Sequence, residues 1–317
     1  MSARSQPFVS YVQHNFLSNF GLKLQQSDSG KLWVGKMLGA GSEGEVFLGT
    51  YDPPQLMAIK FIRKTPETEE KFKIFLKISL KLNHPNITRL LAYSIDDEFV
   101  SQFGMSGHAL LIYGLHRCKS LRQRLDEKGH LTEDNTRKFI TDVLEGLAYM
   151  HGRGISHNDL KPENIMIDCS ELGEDEKAVI IDLNGACFFR DCQSPSLTFS
   201  YAAPESVGKS FIVGPASDIW AVGIITYESL TGKNPLRTKH GGAAALIDAV
   251  KNLYDLSKPD KPPISDDDLL AKFGKLEEIA KTNLAAAQFI ISILHMNPKE
   301  RPTARDLLKN SEWISGK

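Results

Sequence analysis

From Leu32 onward the apolar residues come in short β-prone pieces punctuated by glycine. Leu56-Met57-Ala58-Ile59-Lys60-Phe61-Ile62 reads as a strand with one lysine inside it, and Thr88 to Ser94 and Ala109 to Leu115 read as two more, with a polar hairpin between them. Thr65-Pro66-Glu67-Thr68-Glu69-Glu70 has the marks of a helix start: a cap, a proline in the first turn and acids near the positive end. Beyond it the periodicity changes to helical. Leu121 to Leu125 and Glu133 to Met150 predict helices, and the stripe Phe139, Ile140, Val143, Leu144, Leu147 and Met150 marks a buried face rather than a site. The pattern is therefore β-rich first and mainly helical afterwards.

Three polar groups interrupt that pattern where an apolar run begins. Ile155-Ser156-His157-Asn158-Asp159-Leu160-Lys161-Pro162-Glu163-Asn164 runs into Ile165-Met166-Ile167, and it sets a carboxylate, an ammonium and a carboxamide at 159, 161 and 164. Such a set can orient a hydroxyl, offset charge on a moving phosphate and hold a metal. A polar surface loop between a helix and a strand is the plain alternative. Leu38-Gly39-Ala40-Gly41-Ser42-Glu43-Gly44-Glu45-Val46 carries three glycines spaced so that backbone N–H groups can close over phosphate oxygens. A dinucleotide fingerprint would place a helix next, whereas Val46-Phe47-Leu48 continues as a strand, which favours a glycine-rich hairpin. An ammonium within a strand belongs at a sheet edge or opposite an anion, because burying it unpaired is costly; this applies to Lys60.

Together these segments resemble the eukaryotic protein kinase family, whose catalytic loop reads H-R-D-L-x-x-x-N and whose glycine loop reads G-x-G-x-x-G-x-V. The resemblance extends through Val179-Ile180-Ile181-Asp182-Leu183-Asn184 (for D-F-G), Tyr201-Ala202-Ala203-Pro204-Glu205 (for A-P-E), Ser217-Asp218-Ile219-Trp220-Ala221-Val222-Gly223 and Arg301-Pro302-Thr303, from about Leu32 to Trp313. It implies an α+β, bilobal fold: an extension over 1–31, a small β-rich N-lobe with one main helix over 32–116, and a larger mainly helical C-lobe over 117–317. It implies a serine/threonine protein kinase using ATP and Mg²⁺. In this reading Asp159, Lys161 and Lys60 are catalytic, and Asn164 and Asp182 hold the metal. Leu38, Gly39, Gly41, Gly44, Val46, Ala58, Lys60, Tyr113, Leu115 and Met166 bind ATP, with Tyr113 at the gatekeeper position and Gly114 to His116 as hinge. Thr198 is expected to bond Asp159 and Lys161, Asp218 the catalytic-loop backbone, and Arg301 Glu205. Lys161 and Thr198 favour serine/threonine over tyrosine specificity, and Ser194, Ser196 and Ser200 are possible phosphorylation sites.

Four positions depart from the family pattern. Asn158 stands for the Arg, so dependence on loop phosphorylation is expected to be small. Phe75 falls where the helix Glu that pairs the strand lysine is expected, and the nearest acids are Glu67, Glu69 and Glu70. Leu183 and Asn184 replace Phe and Gly; Leu183 can fill the apolar socket, and Asn184 tolerates a left-handed backbone. These departures motivate an alternative, a pseudokinase that binds nucleotide or partners without turnover. A small-molecule kinase of related fold is a third reading, disfavoured by Thr198 and the A-P-E match.

Composition narrows the partners little. The 317 residues are 41% hydrophobic and 24% charged, and 38 basic against 39 acidic residues leave no net field favouring nucleic acid or an acidic membrane. The expected partner is a protein substrate with a serine or threonine acceptor; oligomeric state is not legible. No apolar run approaches the roughly 18 residues a spanning helix needs; Phe289 to Leu294 is far too short. The first residues lack the apolar core of a secretory signal, and Ser2 is not the glycine that myristoylation requires. A soluble cytoplasmic protein is expected, with export signals that have no apolar core lying outside this test. Cys118, Cys169, Cys187 and Cys192 have no metal-ligand spacing and are expected to be free thiols in a reducing compartment. Glu171 to Lys177 reads as a solvated charged turn.

Overall fold

The computed structural model describes residues 32–41, 44–51, 55–169, 176–189, 191–192, 197–207, 212–237, 244, 253 and 265–316. The extension over 1–31, the candidate phosphosites Ser194 and Ser196, and 171–175 of the charged turn lie outside them. The chain divides into two compact units, Met1–Asn83 with Thr88–His116 and His84–Ile87 with Arg117–Lys317. Strands dominate the first part and helices the second, the α+β order that the resemblance implies.

The first unit is built on one antiparallel sheet of β1 (Leu32–Gly41), β2 (Gly44–Tyr51), β3 (Gln55–Arg63), β4 (Leu90–Ser94) and β5 (His108–Gly114), in the order β1-β2-β3-β5-β4. Period-two alternation on β3 decides what each face does. Met57, Ile59 and Phe61 are buried and join Leu110, Ile112, Phe99 and Phe103 in one apolar cluster, while Ala58, Lys60 and Ile62 face the other way and are half-buried. Register then aligns Gly39 with Val46, Val46 with Lys60 and Lys60 with Leu111, a rung across four strands. Helix α1 (Pro66–Ser79) follows β3 and buries Phe75 and Ile78.

The polar hairpin expected between β4 and β5 is instead helix α2 (Asp97–Ser101). Asp96 caps it, its carboxylate accepting from Glu98 N at 3.0 Å and Phe99 N at 3.3 Å, and the helix buries Phe99 and Val100 in the sheet's core. Two apolar residues in a polar segment were too few to show a helical period, and tertiary burial supplied the stabilisation.

Gly44 opens β2 at φ +148°, and a Cβ there would stand 2.0 Å from the Phe61 carbonyl oxygen of β3. No L side chain fits without prising the two strands apart. Gly44→Ala is expected to cost about 3 kcal/mol through backbone strain, read as a lower urea midpoint with an unchanged slope.

The second unit is organised around α6 (Pro215–Thr231), preceded here by α3 (Leu121–Lys128), α4 (Glu133–His151) and the short α5 (Pro204–Val207). Helix α6 starts at Pro215, where a missing N–H costs nothing. It is buried nearly all round, with Trp220, Val222 and Ile224 at 0% exposure, so it forms the centre of the core rather than a surface. Against it pack α4 and α9 (Leu284–Ile293), after α7 (Asp266–Ala271) and α8 (Leu276–Thr282); α10 (Ala304–Asn310) and α11 (Glu312–Ser315) complete the set. Two short ladders, β6 (Ile155–Ser156) with β9 (Cys187–Phe188) and β7 (Ile165–Cys169) with β8 (Glu176–Ile180), carry the candidate chemistry. On β8, Glu176 is not merely solvated: the Arg124 guanidinium donates to it, at 2.9 Å for one pair, and holds its carboxyl below the usual range.

The cysteines are not free thiols. Cys118 is joined to Cys169 and Cys187 to Cys192, with Cα–Cα distances of 5.9 and 5.3 Å. The first couple links the segment before α3 to the end of β7; the second closes the turn after β9. Spacing along the chain, 51 and 5 residues, concealed both, because pairing depends on where the backbone brings the Cβ atoms.

Candidate active site

The loop between β6 and β7 is held from below by one buried carboxylate. Asp218, on the first turn of α6, accepts from His157 N at 2.9 Å on Oδ2 and from Asn158 N at 2.7 Å on Oδ1, and the His151 Nε2 lies 2.8 Å from the same Oδ2. This is the contact expected of Asp218. His157 Nε2 sits 3.1 Å from Ile181 O, tying the loop to the strand that leads to Asp182.

Asp159 is the most heavily contacted polar group of the loop. Its Oδ1 accepts from the Thr198 backbone N–H at 3.0 Å and the Thr198 hydroxyl at 2.7 Å; its Oδ2 accepts from Lys161 Nζ at 2.8 Å and Asn164 Nδ2 at 3.3 Å. Lys161 Nζ also donates to Thr198 Oγ1 at 2.8 Å, so carboxylate, ammonium and hydroxyl form a closed triangle. Four donors on one carboxylate fix its orientation. Asn164, in the 3₁₀ turn Pro162–Asn164, commits its amide nitrogen to Asp159 O at 2.9 Å, which leaves Oδ1 as its other polar atom, an oxygen of the kind a hard divalent cation takes.

Asp182 follows Ile181, whose N–H bonds Asn164 O at 2.9 Å, so the backbone ties the two predicted metal ligands together. Asp182 itself has φ +58°, whereas Asn184, which would tolerate a left-handed backbone, lies in the 3₁₀ turn Leu183–Gly185; the left-handed residue here is the acid. An Asp tolerates that region through its short polar side chain. Leu183 is buried in the position expected of it. Gly185 presses on the loop, since a Cβ there would meet His157 O at 3.1 Å and Asp159 Cβ at 3.2 Å.

In the first unit, Gly39, Val46, Ala58 and Lys60 share the sheet face opposite the apolar cluster, and Tyr113 lies opposite Ala58 on β5. Leu38 is exposed on β1, and Leu115 and His116 follow β5, with His116 Nε2 at 3.3 Å from Thr88 Oγ1. Gly41 ends β1 and pairs with Gly44 across the turn. Met166 sits on β7 in the second unit, bridged to Ser120. On α1, Glu69 pairs with Lys73 at 2.9 Å and Glu70 lies 3.9 Å from the same lysine, both carboxylates largely exposed, while Phe75 is 4% exposed. Neither acid is turned to the position that Phe75 fills.

One network was not foreseen. Arg122 donates to Glu163 at 3.0 Å, Glu228 at 3.0 Å and Tyr201 Oη at 2.6 Å, and Tyr201 donates in turn to Glu228 at 2.6 Å. Burial and then the Glu228 charge push the Tyr201 phenol far above its ordinary value, so it stays a donor. The only signal in the chain was polar residues at otherwise apolar positions. Tyr201→Phe strips a donor from a carboxylate that is 6% exposed and is expected to cost about 1–3 kcal/mol in a urea melt. The expected pair of Glu205 and Arg301 is present and bidentate, at 2.7 and 2.8 Å.

Comparison with known proteins agrees with this geometry. The protein kinase domain model matches residues 32–314. The chain is 30% identical over 296 residues to the calcium/calmodulin-dependent protein kinase cmkA of Emericella nidulans, covering 89% of this chain and 62% of that protein. It is 29% identical over 290 residues to the calcium/calmodulin-dependent protein kinase type 1 of Caenorhabditis elegans, covering 88% and 73%, and to that of Macrobrachium nipponense, covering 88% and 74%. The chain thus spans under two thirds of the Emericella protein's length. Among the described residues no helix is long and apolar enough to cross a membrane. With the domain model covering nearly the whole chain and the loop built around Asp159 and Thr198, the chain belongs to the protein kinase family, as a serine/threonine-type member.

Proposed function

We propose that this protein transfers the γ-phosphoryl group of ATP to serine or threonine hydroxyls of proteins. The observation that carries the reading is the four-donor clamp on Asp159, with Thr198 and Lys161 on its two oxygens. Asp159 orients the acceptor hydroxyl and takes its proton, and Lys161, beside it, offsets charge on the phosphate in transit. In the first unit Lys60 and the backbone from Gly39 to Val46 bind phosphates, and Val46, Ala58, Tyr113 and Leu115 serve the adenine. Asn164 and Asp182 supply oxygen donors suited to Mg²⁺, which when bound with ATP neutralises phosphate charge.

A second reading, a pseudokinase, draws on α1: Phe75 is buried where the family places a Glu, and Glu69 and Glu70 pair with Lys73 at the surface. One assay separates the two. The purified protein, given Mg-ATP and a generic serine/threonine substrate, is expected to label serine or threonine. Mg-ATP binding without label would establish the pseudokinase instead.

A further inference from the structure

We propose that Cys187 and Cys192 form a reversible dithiol–disulfide couple at the start of the activation segment, read by the catalytic loop through Asn158; the activity part of this rests on the phosphotransfer reading above. Cys187 lies on β9, opposite Ser156 of β6, and the disulfide to Cys192 closes the turn that follows. Asn158 stands in the loop where the family pattern has Arg. Its Nδ2 donates to Gly185 O at 3.0 Å and to Cys187 Sγ at 2.8 Å. A carbonyl oxygen can only accept, so Gly185 fixes the amide's orientation, and the second N–H is aimed at sulfur.

That aim is informative. A disulfide sulfur is a weak acceptor, whereas a thiolate is a strong one. Ser156 Oγ adds a second donor, a hydroxyl 3.7 Å from Cys187 Sγ and 3.9 Å from Cys192 Sγ. Among the described residues no side-chain donor addresses the Cys118–Cys169 sulfurs, which marks that couple as a static link. The two sulfurs also differ in access: Cys187 is 9% exposed and Cys192 half-buried. An external dithiol reductant therefore attacks Cys192 Sγ as a thiolate. The S–S bond breaks, and Cys187 leaves as a thiolate stabilised by the Asn158 N–H, then takes a proton. The reductant's second thiolate attacks the mixed disulfide and releases Cys192. The protein gains two electrons and two protons, and the reductant becomes a cyclic disulfide.

Reduction frees the turn from its closure, and Cys187 Sγ, the atom that Asn158 Nδ2 addresses beside Asp159, loses its covalent tether to Cys192. The clamp on Asp159 is formed with the disulfide in place, so the oxidised form is the organised one. Closure of so short a loop favours the ordered turn by a factor on the order of 10–100.

The test uses the full chain in its native state. Protein treated with dithiothreitol is quenched with iodoacetamide at intervals, and each cysteine's alkylation is read by mass spectrometry; oxidised glutathione then serves to re-form the couple. Expected are native reduction and reoxidation of Cys187 and Cys192, with Cys118 and Cys169 slower. Asn158→Gly keeps the left-handed backbone at φ +65° and removes the donor; it is expected to slow reduction about threefold, the effect of one unit in leaving-thiol pKa. Phosphoryl incorporation is expected to fall about tenfold on reduction and recover on reoxidation. A couple reduced only after denaturation, reduction of Asn158→Gly at the wild-type rate, or equal incorporation in both states would each overturn the proposal. A protein that transfers no phosphoryl group in either state would instead overturn the phosphotransfer reading and the activity part, leaving the alkylation rates to decide the couple.

Discussion

Asp159→Asn is expected to lower phosphoryl incorporation by about 10²–10⁴, the range associated with a positioned general base. Both carboxylate oxygens are occupied by donors: the Thr198 N–H and hydroxyl on Oδ1, Lys161 Nζ and Asn164 Nδ2 on Oδ2. An asparagine must turn its own NH₂ toward one of these sets. Whichever way it points, donor meets donor, and the group can no longer accept a proton. The loss should appear in kcat with the KM for ATP little changed, because the first unit's sheet face is untouched. Equal incorporation by both proteins would remove Asp159 from its assigned role. A thermal melt run beside the assay separates lost chemistry from lost fold, and the clamp predicts only a modest drop there.

Arg301→Ala is expected to cost about 3–5 kcal/mol, the range for breaking a buried ion pair by deleting one partner. The Arg301 side chain is fully buried and makes two bonds to Glu205, one to Ala216 O at 2.9 Å and one to His295 O at 2.8 Å, with its guanidinium 4.9 Å from the Trp220 ring centre. Removal leaves the Glu205 carboxylate, 10% exposed, with Ser217 Oγ at 3.1 Å as its remaining described donor, and opens a void beside Trp220. Domains of ordinary stability hold only about 5–15 kcal/mol in reserve, so much of the margin disappears. Urea denaturation of the variant reads it directly. A midpoint shift worth less than about 1 kcal/mol would mean that the pair is replaceable packing.

Legibility in the chain followed range. The strand with Lys60 was readable because its apolar, β-prone run lies within one short segment, and so were α3 and α4, whose apolar residues recur at helical spacing within the segments themselves. Phe75 was readable as a departure by counting along the chain, but that Glu69 and Glu70 spend their charge on Lys73 needed the helix's actual turn. Asn184 was a reasonable choice for a left-handed residue by type alone. The turn into the 3₁₀ segment placed the strain at Asp182, one residue after the strand, and residue preference could not show that.

By itself the chain determined the order of kinase segments, the change from β-prone pieces to helical periodicity, and the residue types gathered around Asp159. The tertiary structure alone decided which cysteines meet, that Asn158 addresses a sulfur and a carbonyl, and that Arg122, Tyr201, Glu228 and Glu163 share one network. The reason is physical. Periodicity and caps are set by neighbours a few residues away, whereas hydrogen bonds and disulfides between distant residues exist only once the backbone path has carried their atoms within bonding reach.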